Sequence, residues 1–101
     1  MANSPFHAIA DRTRRRILDE LLAGPLRAGD LAQRFPHISR PAVSKHLGVL
    51  RSSRLVLADR RGRELWYRVD PPPLTEVERW VRQYAVFWEE RLQSLKEAAE
   101  D

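Results

Sequence analysis

The chain has 101 residues, 43% of them hydrophobic, and a formal net charge of +4, enough for one compact domain over 1–101 and too short for two. It contains no cysteine, which excludes disulfides, thiolate metal sites and thiol redox chemistry. No apolar run approaches the ~18 residues of a membrane span and no signal-peptide pattern opens the chain, so no membrane partner and a cytoplasmic location are expected. The charge is unevenly placed. Residues 74–101 carry four basic and seven acidic side chains, whereas residues 1–73 carry fourteen basic and seven acidic ones. From Leu31 to Ala58 there is no carboxylate, yet Arg34, Arg40, Lys45, Arg51 and Arg54 all fall there. Such asymmetry within one domain points to a polyanion contacted on one side.

Met1–Ser4 reads as a frayed start and "PFHAIA" (5–10) as a short helical turn with Phe6 and Ile9 on one side. Asp11 is placed to cap the next helix, "RTRRRILDELLA", in which Ile17, Leu18, Leu21 and Leu22 form a stripe. Gly24-Pro25 stops it. "AGDLAQRF" gives a short helix with Leu31, Ala32 and Phe35 inward, "PHI" a brief turn, and Ser39 caps "RPAVSKHLGVLRS", whose Val43, Leu47 and Leu50 are the buried face. Pro41 is tolerated in the first turn, where its missing N–H has no helical partner. Two β-rich runs, 55–60 and 63–69, flank a hairpin tip at Arg61-Gly62. After "DPPP", Thr75 and Glu78 fit a capping box, and one long helix is expected over 75–98.

Two short helices separated by a three-residue turn, over 28–52, have the spacing of a helix-turn-helix, whose second helix enters the DNA major groove. The side chains suit that role. Arg40 and Lys45 donate to guanine or phosphate, Ser44 donates or accepts, and Ala42 is small enough for close approach. The polar face of this helix carries Arg40, Ser44, Lys45 and His46 and no carboxylate. Solvated helices usually pair opposite charges at i,i+4, so the partner is expected outside the chain. The bland alternative is a pair of helices packed for stability. A second basic feature, Arg60, Arg61 and Arg63 around Gly62, follows in the position of a wing (55–69), which reaches phosphates or a neighbouring minor groove. The run "RTRRR" (12–16) is denser but reads as structural, because Asp11–Arg15, Arg15–Asp19 and Arg16–Glu20 are i,i+4 pairs on their own helix.

The last helix presents Val77, Trp80, Val81, Tyr84, Phe87, Trp88, Leu92 and Leu95 as a wide apolar band. That is more than a winged-helix core needs, so a second copy of the chain is expected to cover it, with Phe6 alongside Trp80, Tyr84, Phe87, Trp88 and Leu95. The same aromatics also fit plain core or the wall of a small-molecule pocket, which leaves an unidentified effector open. No Ser/His/Asp arrangement, phosphate loop or acid pair is present, and Ser44 and His46, two apart on a helix, do not face each other. An enzyme is not expected.

These stretches resemble the ArsR/SmtB family of dimeric winged-helix repressors over nearly the whole chain. "FHAIADRTRRRILDELL", "AGDLAQRF", "SRPAVSKHLGVLRSSRLV" and "RRGRELWYRV" are similar to its successive motifs, in order and at its spacing. The resemblance implies a mainly α fold with a small β-hairpin wing (α+β) and a long C-terminal dimerisation helix. It implies DNA contacts from Ser39, Arg40, Ala42, Ser44, Lys45 and His46, with Arg61 and Arg63 on the wing. It also implies double-stranded operator DNA as partner. Two backbone departures stand out: Arg12 replaces a usual proline, and Arg54 a usual helix-terminating glycine, at a cost of about 1–2 kcal/mol if its conformation is left-handed. Metal-responsive members carry a Cys-x-Cys pair or ligands on the last helix. This chain has no cysteine, and its histidines are His7, His37 and His46, so it resembles a cysteine-free branch with no metal site and no cofactor. The expectation is a homodimeric repressor on an inverted-repeat operator. The competing reading is a winged-helix protein-interaction module that uses the aromatic helix and has incidental DNA affinity.

Overall fold

A computed structural model describes residues 3–100. The elements follow as α1 (Pro5–Ile9), α2 (Arg12–Leu21), β1 (Leu26–Arg27), α3 (Ala28–Gln33), α4 (Arg40–Ser52), β2 (Val56–Arg61), β3 (Glu64–Val69), α5 (Leu74–Arg82) and α6 (Ala85–Glu100). The three strands form an antiparallel sheet in the order β1-β3-β2. This is a winged helix-turn-helix fold, mainly α with a hairpin wing, as the sequence led us to expect.

Local chemistry explains the helix starts. Asp11 is extended and its carboxylate accepts from the Arg14 N–H at 3.0 Å, capping α2. Ser39 does the same for α4, accepting from the Ala42 N–H at 3.2 Å, with Pro41 in the first turn. Each cap satisfies a donor that the helix leaves without a partner, worth about 1 kcal/mol. The end of α4 is a Schellman closure: Arg54 N–H donates to the Arg51 carbonyl and Leu55 N–H to the Leu50 carbonyl, both at 3.0 Å. Arg54 occupies the left-handed region that closure requires, with φ 65°. The wing turns through Gly62-Arg63 rather than Arg61-Gly62, since Arg61 pairs with Glu64 across the hairpin. Positive φ at Gly62 (65°) followed by negative φ at Arg63 is the glycine-first pattern of a two-residue hairpin.

The core lies where α2, α3, α4 and the sheet meet. Ile17, Leu21, Leu31, Val43, Leu47, Leu50, Leu55 and Val56 are essentially fully enclosed, and Leu18, Phe35 and Tyr67 nearly so. Burying each large side chain contributes about 1.5–3 kcal/mol before entropy is charged. Leu22 departs from its expected stripe and is 71% exposed, because it lies ~100° further round the helix than Leu21, past the edge of the buried face.

Several other expectations are corrected. β1 is only two residues long, Leu26 opposite Tyr67 and Arg27 opposite Trp66, and its pairing is not visible locally. Asn3 N–H donates to Ser52 Oγ at 3.0 Å and Ser4 caps α1, so these two residues are tied rather than frayed; Met1 and Ala2 lie outside the described residues. No capping box forms at Thr75. The helix begins a residue earlier, at Leu74, and Thr75 N–H donates to the Pro72 carbonyl at 3.0 Å. The long helix expected over 75–98 is divided at Gln83-Tyr84, where Gln83 and Tyr84 donate to Trp80 and Val81. These three-residue-back bonds tighten the end of α5 with no proline or glycine to announce it. α6 runs on from there for 16 residues, none of them buried.

Candidate nucleic-acid interface

α4 is held at both flanks. Its buried stripe, Val43, Leu47 and Leu50, faces the core. On one flank Arg40 lies across α3, its Nη2 only 3.1 Å from where a Cβ on Gly29 would stand. On the other flank His46 is half-buried, with Nδ1 3.5 Å from Arg14 Nη1 and 3.8 Å from Asp11 Oδ2. Between the flanks Pro41, Ser44, Lys45 and Gly48 are exposed. Of the residues predicted to face a partner, Ser44 and Lys45 are therefore outward. Ser39 is exposed while its hydroxyl also serves as the cap, Ala42 is half-buried, Arg40 is laid over α3, and His46 is turned towards α2.

The wing carries its cations on an ordered base. The Arg61 guanidinium lies 5.0 Å from the centre of the Trp66 ring and that of Arg27 lies 5.4 Å from it, a favourable contact for a cation. Arg27 is anchored in turn by Asp30 at 3.0 Å and Glu64 at 3.1 Å. The Arg27 hydrogen bond holds the Asp30 carboxyl below its usual value. Arg68 pairs with Asp59 at 2.7 Å on the same outward face. Trp66 was not among the predicted site residues. The signal available was its place in β3, two residues from Arg68 and Glu64, on the strand face opposite Tyr67.

Ion pairing separates the two basic regions. The RTRRR run is internally satisfied, though not by the expected i,i+4 carboxylates. Arg14 donates to the carbonyls of Ala8 (2.8 Å) and His7 (3.0 Å), and Arg15 to that of Ile9 (2.7 Å). They thus fill carbonyls at the end of α1 that have no helical partner. Arg16 packs over Phe35, and Glu20 pairs with Arg34 instead. The wing carboxylates Asp59 and Glu64 are likewise taken, by Arg68 and Arg27. Among the described residues, Arg40, Lys45, Arg51, Arg54, Arg60, Arg61 and Arg63 enter no ion pair. All seven lie on α4, at its end or on the wing.

A second face is apolar. Phe6 meets Trp80 edge-on at 6.0 Å, Trp80 meets Tyr84 at 5.3 Å, and Tyr84 meets Phe87 at 6.4 Å. The structure thus brings four of the six predicted interface residues into one aromatic row, with Trp88 and Leu95 further along α6. Phe87 is 62% exposed, Trp88 56% and Leu95 60%. Trp80, Val81, Tyr84, Phe87 and Trp88 line an open depression of about 380 Å³. Among the described residues no three His, Asp or Glu side chains converge as metal ligands would.

Residues 9–57 match a family described as a helix-turn-helix domain. The chain is 38% identical over 79 residues to the transcriptional repressor SdpR of Bacillus subtilis (strain 168), covering 78% of this chain and 87% of that protein. It is 45% identical over 82 residues to the HTH-type transcriptional regulator Rv2034 of Mycobacterium tuberculosis, covering 76% of each. Among solved structures, an ArsR-like transcriptional regulator from Rhodococcus sp. RHA1 superposes with a TM-score of 0.74 at 38% identity, over 94% of this chain and 86% of that one. The ArsR family transcriptional regulator RHA00566 superposes with a TM-score of 0.72 at 33% identity, over 83% and 91% respectively.

Proposed function

The chain belongs to the ArsR family of winged helix-turn-helix transcriptional regulators, a DNA-binding and non-enzymatic class, and from that premise we propose that it is a cytoplasmic repressor acting as a homodimer on an inverted-repeat operator, without a metal effector. The observation that carries the reading is the segregation of the surface. Seven cations without ion-pair partners lie on α4, at its end and on the wing, while a row of half-exposed aromatics follows α1, α5 and α6. Polyanionic DNA suits the first face, since its phosphates supply the missing counter-charges. A second copy suits the second, because a two-fold dimer covers the same patch on both subunits.

The roles divide by position. Lys45 and Ser44, outward on α4, meet base edges, with Ala42 and His46 on the neighbouring flank and Ser39 and Arg40 at the helix start. Arg40, held against α3, and the wing residues Arg61 and Arg63 meet phosphates. Phe6, Trp80, Tyr84, Phe87, Trp88 and Leu95 form the dimer contact. Two recognition helices related by the two-fold axis meet half-sites about 10–10.5 bp apart or a multiple of that. The donor set supports independence from metal. There is no cysteine, and the histidines are scattered over α1, the turn before α4, and α4 itself, whereas transition metals select imidazole and thiolate.

The deciding experiment is selection from random-sequence duplexes with metal-free protein at about physiological salt. A short inverted repeat is expected. Recovery of only unselected DNA refutes the operator reading and transfers the aromatic face to a protein-interaction module.

A further inference from the structure

The two helices of the helix-turn-helix each contain one glycine, and the structure accounts for only one of them. Gly29 in α3 leaves the space that the Arg40 guanidinium occupies, 3.1 Å from the absent Cβ. Gly48 is the ninth of the thirteen residues of α4, with ordinary helical backbone, and a Cβ built there meets nothing within 4 Å. Glycine is the least favourable residue after proline in a helix interior. No turn, no positive φ and no neighbour in this chain requires it at 48. A glycine kept at such a position indicates close approach of something else.

Its direction says what approaches. At ~100° per residue, Pro41, Lys45 and Gly48 form the stripe of α4 opposite the buried Val43, Leu47 and Leu50. The flanks are already occupied, by Arg40 on α3 and by His46 beside Asp11 and Arg14. For a helix lying in a groove, the stripe opposite its core faces the groove floor, and the flanks face the walls. Gly48 lies three residues after Lys45 and four after Ser44, one turn further along the same surface.

We infer that Gly48 is a specificity-determining position: its missing side chain lets the second turn of the exposed stripe of α4 contact base-pair edges on the floor of the major groove. This rests on the DNA-binding reading above, and it adds a residue that supplies no donor or charge and acts by leaving room. The helix gives up stability for the approach, so replacing Gly48 has effects of opposite sign on folding and on binding.

The test uses the full-length chain, the duplex recovered from random-sequence selection, and a scrambled duplex of equal length. Gly48→Ala is expected to raise the thermal midpoint by about 4 °C and to weaken operator binding about tenfold or more. Binding to the scrambled duplex is expected to change less than twofold. Gly48→Leu, with a larger side chain, loses more operator affinity than Gly48→Ala. A raised midpoint with unchanged operator affinity overturns the inference, leaving the DNA-binding reading intact. Equal loss on both duplexes also overturns it, by placing Gly48 against the sugar-phosphate wall. If the unsubstituted chain selects no sequence, both readings fail, and that is seen before any variant is made.

Discussion

Replacing Arg54 with glycine isolates the cost of a left-handed residue from everything else at the end of α4. Arg54 has φ 65°, in a region where a Cβ crowds the following carbonyl at about 1–2 kcal/mol. The two hydrogen bonds that close the helix, Arg54 N–H to Arg51 and Leu55 N–H to Leu50, both 3.0 Å, are made by backbone and survive the change. The side chain is exposed and joins no ion pair, so little is lost with it. Against the relief stands glycine's larger freedom in the unfolded chain, about 0.4–1 kcal/mol. Arg54→Gly is therefore expected to stabilise by about 0.5–1 kcal/mol, or about 2–8 °C in the thermal midpoint. Arg54→Ala, which keeps the Cβ, should leave stability nearly unchanged. Urea unfolding followed by far-UV circular dichroism, at fixed protein concentration because association shifts the midpoint, reads this as a higher midpoint with an unaltered slope. A loss of stability in the glycine variant, or an equal gain in the alanine variant, refutes the reasoning, since neither can come from relief of the left-handed strain.

Asp11→Ala removes the cap of α2 and should cost about 1 kcal/mol, while Asp11→Asn retains most of the cap. The Arg14 N–H hydrogen bond, with smaller help from the His46 and Arg14 charges, holds the Asp11 carboxyl below its ordinary 3.8. Its stabilisation is therefore complete above pH 3.8 and lost as the pH falls through the lowered folded value; acid titrations of stability should show a shallower decline in Asp11→Asn than in the unsubstituted chain. Trp88→Ala should weaken the dimer, and sedimentation that finds the dimer unchanged rules out Trp88 as its anchor. Lys45→Ala is expected to weaken operator binding more than non-specific binding, whereas Arg61→Ala or Arg63→Ala weakens both alike and makes the salt slope shallower by about one. For about eight neutralised phosphates per dimer that slope starts near −7, and a slope near zero would remove the phosphate contacts altogether.

The lower counterpart of that charge argument, which arginines are already spoken for, was only half legible in the sequence. That "RTRRR" is structural followed from its own helix, but its partners did not: i,i+4 pairs are worth a few tenths of a kcal/mol, and Arg14 and Arg15 instead meet the carbonyls that end α1. Those acceptors exist only once α1 has folded against α2. The same holds for Glu20, which leaves Arg16 for Arg34 fourteen residues away.

What the sequence determined by itself is whatever is settled within a few residues. The caps at Asp11 and Ser39, the buried stripe of Val43, Leu47 and Leu50, the hairpin and the left-handed need at Arg54 all depend on neighbours one helical turn away or less. Tertiary structure alone decided the pairing of β1 with β3, the exposure of Leu22, the division of the last helix at Gln83-Tyr84, the turning of His46 towards α2 and the seating of Arg61 on Trp66. Each of these is a choice between contacts of similar small energy, and the winner is the one whose partner the rest of the fold has already put in reach.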